Sequence, residues 1–162
     1  MKIKYVKGDL LSVENGYIVH GCNNRGVMGG GVARSIKEKY RSAFLAYIAG
    51  THEVLGATIE CPLGNGLVIV NGITQDGYGH DRRYANYAAI AQVFNRVAEM
   101  AMLRNELHTV VSFPRIGAGL GGGDWNIISQ IIEDTFHDRI GGERRWTLNC
   151  YIPENEWCSE YE

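Results

Sequence analysis

The sequence predicts an α/β fold, and three observations carry that prediction. Short apolar runs bounded by glycine, asparagine and proline alternate with stretches of helical periodicity along the chain. The clearest of those stretches puts Tyr87, Ile90, Ala91, Phe94, Val97, Ala98, Ala101 and Met102 on one face of a helix. Glycine is in surplus, 21 of 162 residues, where average usage near 7% would give about 11. The surplus follows no G-X-Y period and accompanies 45% hydrophobic residues, so collagen and disordered linkers are excluded.

Ile3 to Val6 and Tyr17 to His20 read as strands, the second bounded by Asn15-Gly16 and Gly21. Val32-Ala33-Arg34-Ser35-Ile36, directly after Gly29-Gly30-Gly31, opens a helix, and Phe44 to Ala49 continues as another. Ala57 to Glu60 and Leu67 to Ile73 form a strand pair about the turn Gly64-Asn65-Gly66. The Tyr87–Met102 face predicts an amphipathic helix packed on a sheet. Thr109 to Phe113 is a buried strand that runs through Pro114 into a glycine-rich segment. Asp124 is a suitable N-cap, and Ile127, Ile128, Ile131 and Ile132 supply the buried face of the helix it starts. Trp146 to Ile152 is the last strand, and the acidic residues after Pro153 are expected to be mobile. Strands alternating with helices define the class, and no linker or repeat divides the chain, whose length suits one domain.

Charge and cysteine usage narrow the function. Lysine plus arginine number 16 and aspartate plus glutamate 18. That balance offers no general attraction for nucleic acid or an anionic membrane, so neither is expected as a partner. The pairs Arg82-Arg83 and Arg144-Arg145 read as solvated surface. The opening Met1–Tyr5 lacks the apolar core of a signal peptide, and no run reaches the ~18 apolar residues of a membrane span. Cys22, Cys61, Cys150 and Cys158 form no C-x-x-C and have no histidine at zinc-site spacing. Free thiols, no metal and a cytoplasmic location are the expectation.

Two glycine loops carry the chemistry. One is Gly26-Val27-Met28-Gly29-Gly30-Gly31 and the other spans Gly117 to Gly123, and each precedes a helix. The first N–H groups of a helix lack intrahelical partners and sit at the positive end of its dipole. Glycine removes side chains that would hold an anion away from them, so each loop suits a phosphate, and together they suit two linked phosphates. The bland alternative is that the glycines only make turns. Gly117, Gly119 and Gly122 spell G-x-G-x-x-G, yet too little chain follows for a Rossmann domain, and no P-loop motif occurs.

The order of motifs is more specific than any one of them. Gly8-Asp9-Leu10 follows the first strand, and His20-Gly21-Cys22-Asn23-Asn24 ends the second. Gly29-Gly30-Gly31-Val32-Ala33 opens a helix, and Pro114-Arg115-Ile116-Gly117-Ala118-Gly119-Leu120 follows a late strand. This order resembles the macro domain family, which binds ADP-ribose, over Lys4 to Ile152. The small stand-alone branch that includes the fungal ADP-ribose 1″-phosphate phosphatase is the most similar. Bacterial and phage stand-alone members are similar in Ile73-Thr74-Gln75-Asp76-Gly77-Tyr78-Gly79 and Gly122-Gly123-Asp124-Trp125. The resemblance implies a three-layer α/β/α domain with a mixed central sheet over residues 1–153, followed by an acidic tail, 154–162. It implies ADP-ribose or a derivative as ligand, an ADP-ribosylated protein as a candidate partner, and no cofactor.

The resemblance also assigns positions. Asp9 matches the acceptor of the adenine amino group, with Leu10 beside it, and Tyr151 matches a wall of the adenine site. Gly29, Gly30, Gly31, Val32 and Ala33 match the first phosphate loop, and Ile116, Gly117, Ala118, Gly119 and Leu120 the second. Asn23 and Asn24 fall near the distal ribose. Each has a plainer reading as well: a capping carboxylate for Asp9, a core tyrosine for Tyr151, turn formers for the asparagines.

Catalysis is less well signposted. One branch of hydrolases uses a lysine and an aspartate, but those positions hold Gln75 and Gly121 here. Glutamine is no such nucleophile and glycine is no base, so that mechanism is not expected. His20 matches a histidine of the fungal phosphatase branch in the pattern His-x-Cys-Asn, and a histidine can move a proton near neutrality. Its alternative is a hydrogen-bonded core residue. Asp124 is the second candidate base, with N-capping as its alternative. The resemblance thus implies hydrolysis of a distal-ribose derivative, foremost ADP-ribose 1″-phosphate. A non-catalytic ADP-ribose reader and an ADP-ribosyl ester hydrolase using substrate-assisted water attack stand as alternatives.

Overall fold

A computed structural model describes residues 1–162. Six strands, β1 (Lys4–Lys7), β2 (Gly16–Asn23), β3 (Thr58–Pro62), β4 (Leu67–Gln75), β5 (His108–Phe113) and β6 (Arg145–Ile152), form one sheet in the order β1-β6-β5-β2-β4-β3. All neighbours are parallel except β3, which pairs antiparallel with β4 at the edge. The sheet is therefore mixed, as expected. Its helices are α1 (Gly31–Lys39), α2 (Arg41–Ala49), α3 (Tyr87–Leu103) and α4 (Trp125–His137). None is long and apolar enough to cross a membrane.

Alternation along the strands sets the three layers. Tyr17 and Val19 of β2 join Ile90, Phe94, Val97, Ile128 and Ile132 in the larger core under α3 and α4. Ile18, between them in sequence, turns to the other face with Ile36 of α1 and Ala43 of α2. This is the period-two rule applied to a sheet covered on both sides. Phe94 is fully buried and meets Phe113 edge-on at 5.4 Å. Burying such a side chain contributes roughly 1.5–3 kcal/mol.

Two irregularities open the carboxyl edge of the sheet. β2 and β5 pair only at Tyr17↔Val111 and Ile18↔Ser112, so their carboxyl ends part beyond Ile18. The register between β2 and β4 slips between Cys22 and Asn23. From β2 the chain continues to β3 and β4 on one side, and from β5 it continues to β6 on the other. The gap is therefore a topological switch point, where open α/β sheets place their ligands.

The acidic C-terminal residues depart from expectation. They fold into two 3-10 turns, Glu154–Glu156 and Ser159–Tyr161. Trp157 and Tyr161 are half-buried against the larger core, and the Tyr161 ring lies 5.0 Å from that of Tyr5. Arg115 bonds Glu156 at 3.0 Å. The two aromatic residues and the Arg115–Glu156 pair together hold this segment against the domain.

Candidate active site

The switch point is roofed by the two glycine loops. Gly30 is the N-cap of α1 and has no side-chain cap, and Arg34 N–H closes the first turn on the Gly30 carbonyl at 3.3 Å. The N–H groups of Gly31, Val32 and Ala33 are left without protein partners, as the first turn of a helix requires. In the second loop Gly117 has φ +78°, Gly123 N–H bonds the Gly117 carbonyl at 2.8 Å, and the exposed Gly119 and Leu120 donate no N–H within the protein. The loops touch: a Cβ added at Gly30 would meet Leu120 Cδ1 at 3.3 Å. Free donors from both loops thus border one small space, the geometry a diphosphate needs.

Below the loops, Gly21 lets strand and loop approach. A Cβ there would meet Thr74 Oγ1 at 2.6 Å and Ile116 Cγ1 at 3.1 Å. Ile116 is itself buried in the larger core.

Asp9, Leu10 and Tyr151 come together at the β1–β6 end. Asp9 caps a 3-10 turn (Leu10–Ser12) by accepting Leu11 N–H at 2.9 Å, and its second carboxylate oxygen has no protein partner. Leu10 is buried, so only its backbone is free to meet a ligand. Tyr151 is half-buried against the cluster that contains Leu10. Gly8 N–H ties this corner to the Ile152 carbonyl at 2.9 Å.

The asparagines are spent on the loops. Asn23 donates to the Val27 carbonyl at 2.8 Å, and its Oδ1 accepts Arg25 N–H at 2.9 Å. The expected ribose contact from its side chain is therefore corrected: Asn23 folds its own loop. Asn24 donates to Asp76 at 3.1 Å and accepts Gly77 N–H at 2.9 Å, joining the β2–α1 and β4–α3 loops.

His20 does not reach the site. Its side chain is fully buried on the α2 face, with Nε2 2.6 Å from Asn71 Oδ1. Asn71 Nδ2 already donates to the Ala43 and Ile59 carbonyls, each at 3.1 Å. Its oxygen is therefore the acceptor, and His20 Nε2 carries the proton. Burial pushes the imidazole down to about 4, against the lesser opposite pull of the Asn71 bond. Cys22 Sγ, 3.8 Å from the unprotonated Nδ1, is raised by the same burial and stays a thiol. This neutral chain pins α2 to the sheet, and the expectation of a catalytic His20 is corrected to a core residue.

Asp124 is the N-cap of α4, with Oδ1 accepting Asn126 N–H at 2.9 Å. That is the capping role the sequence also allowed. No three histidine, cysteine, aspartate or glutamate side chains gather in a way that would hold a metal ion.

Tyr47 of α2 is a site-shaping residue the sequence did not single out. Its hydroxyl donates to the Asn23 carbonyl at 2.6 Å, lies 3.1 Å from Asn23 Oδ1, and accepts Gly26 N–H at 3.0 Å. It fixes the start of the first glycine loop from 21 positions or more away, which no local sequence pattern records.

A switch point bordered by two convergent glycine loops with free N–H donors places this chain among the α/β domains that open a ligand cleft at the carboxyl edge of the sheet. Residues 19–132, well over half of the chain, match the macro domain, and the chain belongs to that family. An uncharacterised 17.5 kDa protein of enterobacteria phage T4 is 27% identical over 152 residues, 86% of this chain and 93% of that one. The DNA ADP-ribosyl glycohydrolase of Mycobacterium tuberculosis is 28% identical over 141 residues, 83% of this chain but 38% of that one. The ADP-ribose 1″-phosphate phosphatase of Debaryomyces hansenii is 29% identical over 164 aligned positions, 80% of this chain and 92% of that one. The solved macrodomain of Mycobacterium tuberculosis DarG has TM-score 0.75 and 27% identity, covering 91% of this chain and 97% of that one.

Proposed function

We propose that this chain binds ADP-ribose across the carboxyl edge of the sheet and hydrolyses a derivative of its distal ribose, foremost the 1″-phosphate. The convergence of free N–H donors at Gly31–Ala33 and Gly119–Leu120 carries the reading, because it suits a diphosphate. Asp9 then takes the adenine end through its unpartnered oxygen. Neighbouring strands lie about 4.8 Å apart, so the four steps from β1 to β4 span about 19 Å. A nucleoside-diphosphate sugar extended from Asp9 reaches the end of β4, where Asn24 and Gln75 stand.

Chemistry there falls to positioning. His20 is sealed and neutral, and Gln75 and Gly121 hold no ionisable group. Water attacks phosphorus, the bond to the bridging 1″ oxygen breaks, and the water's proton passes to that oxygen, giving ADP-ribose and phosphate. Backbone donors, fixed before the reaction, stabilise the charge on the substrate.

Phosphate release from ADP-ribose 1″-phosphate tests this. The reading predicts turnover that saturates and is lost when Gly30→Val blocks the first loop. If wild type binds ADP-ribose yet releases no phosphate, the protein is a reader, the reading favoured by the burial of His20.

A further inference from the structure

The β4–α3 loop carries two arginines that the ADP-ribose cleft does not use. Arg82 lies over the Tyr84 ring, 4.3 Å from its centroid, and Arg83 over the Tyr87 ring at 4.2 Å. Both are exposed, and neither is paired with a carboxylate, unlike Arg25, Arg34, Arg96, Arg104 and Arg115. A guanidinium stacked on an aromatic face is held in place with most of its N–H fork free.

Both tyrosines are tied to the second glycine loop. Tyr84 and Ala85 N–H donate to the Gly121 carbonyl at 2.9 and 3.0 Å. Tyr87 accepts Asp124 N–H at 3.0 Å. Gly122 backs onto this loop so closely that a Cβ there would meet Arg83 Cα at 3.3 Å. The nearby carboxylates each have another partner: Asp81 takes the Tyr84 hydroxyl, Asp76 takes Asn24 and Arg25, and Asp124 caps α4. The two guanidiniums are the cations at the β4 end of the cleft that no carboxylate holds in an ion pair.

We propose that Arg82 and Arg83 form a second anion-reading rim, which binds a phosphoryl group appended to the distal-ribose end of the ligand. The inference rests on ADP-ribose lying as described above, with its distal ribose over β4. It reverses the reading of Arg82-Arg83 as mere solvated surface, and it gives the cleft a preference for one class of derivative. A monoester at the 1″ position presents that chemistry, and so does the phosphodiester beside an ADP-ribosylated nucleotide. An ADP-ribosyl group on a neutral peptide does not.

Calorimetry on wild type and on the Arg82→Ala, Arg83→Ala double variant separates these cases. The ligands are ADP-ribose, its non-hydrolysable 1″-methylenephosphonate analogue, and a single-stranded oligonucleotide carrying ADP-ribose on a base. Wild type is expected to bind at least one phosphorylated ligand about tenfold more tightly than ADP-ribose. The double variant should bind ADP-ribose within about twofold of wild type and lose that preference. A gain confined to the phosphonate assigns the rim to the monoester, and one confined to the oligonucleotide assigns it to the phosphodiester. ADP-ribose binding with no preference in wild type, or a preference that survives in the double variant, overturns the rim and leaves the cleft standing. Absence of ADP-ribose binding to wild type is a different result, and it removes the cleft and the rim together.

Discussion

Leu120 lies against Gly30 across the mouth of the cleft, its Cδ1 3.3 Å from where a Cβ would stand. The contact joins the two glycine loops. Leu120 is 53% exposed, so it can swing aside when a ligand enters. Gly30 has extended backbone, φ −150° and ψ 163°, which a β-branched residue also adopts. Gly30→Val should therefore fold with a melting temperature close to wild type while covering the open N–H groups of α1. We expect ADP-ribose affinity to fall by about tenfold or more, about 1.4 kcal/mol, read by calorimetry beside a thermal melt.

Tyr47→Phe keeps the ring and removes the hydroxyl that holds the loop. It leaves Gly26 N–H and the Asn23 carbonyl without their partner. Unsatisfied groups of this kind cost about 1–3 kcal/mol, so urea unfolding should show a loss in that range. ADP-ribose binding should weaken too, because the loop no longer arrives preformed. Unchanged affinity in the folded variant would detach Tyr47 from the site.

His20 makes stability depend on pH. Its folded pKa is held at about 4, against 6.5 for the free side chain. The unfolded chain therefore takes up a proton that the folded one refuses. The His20 contribution is full above about pH 6.5, shrinks as the pH falls through that value, and is gone near pH 4. The separation corresponds to about 3 kcal/mol. Urea unfolding at pH 7.5 and pH 4.5 should show a loss in wild type that exceeds the loss in His20→Gln by an amount of that order. Phosphate release should show no limb near pH 6.5 from this group.

Gly121→Asp places an acid where one hydrolase branch keeps its own, yet it should gain nothing. A Cβ there would meet Gln75 Oε1 and the Gly117 carbonyl oxygen, both at 2.8 Å. Gln75 can turn away, but the carbonyl belongs to the glycine loop itself. Overpacking of this sort costs about 1–3 kcal/mol, so the expected result is a destabilised protein in urea with no new ester hydrolysis. A stable variant that hydrolyses ADP-ribosyl esters would show that only the acid was lacking.

The strands and helices were legible because their burial repeats locally. Ile18 between Tyr17 and Val19, and Ile90 with Phe94 and Val97, advertise their faces in sequence. The glycine loops were legible for a related reason, since each sits where a strand passes into a helix. Residues whose role depends on distant partners were harder to read. His20 has a catalytic spelling, but Asn71, 51 positions away, makes it a core residue. Asn23 resembles a ribose ligand until Tyr47 and Val27 are seen to occupy it. Glu154, Glu156, Glu160 and Glu162 gave the tail the composition of a mobile segment, whereas Trp157 and Tyr161 pack it down. Arg82 and Arg83 stand out only once Tyr84 and Tyr87 are beneath them.

Titration of wild type and Asp9→Ala with ADP-ribose bears most directly on the account. It predicts saturable one-to-one binding by wild type, weakened about tenfold or more when the adenine acceptor is removed. No heat from wild type at millimolar ADP-ribose would contradict it.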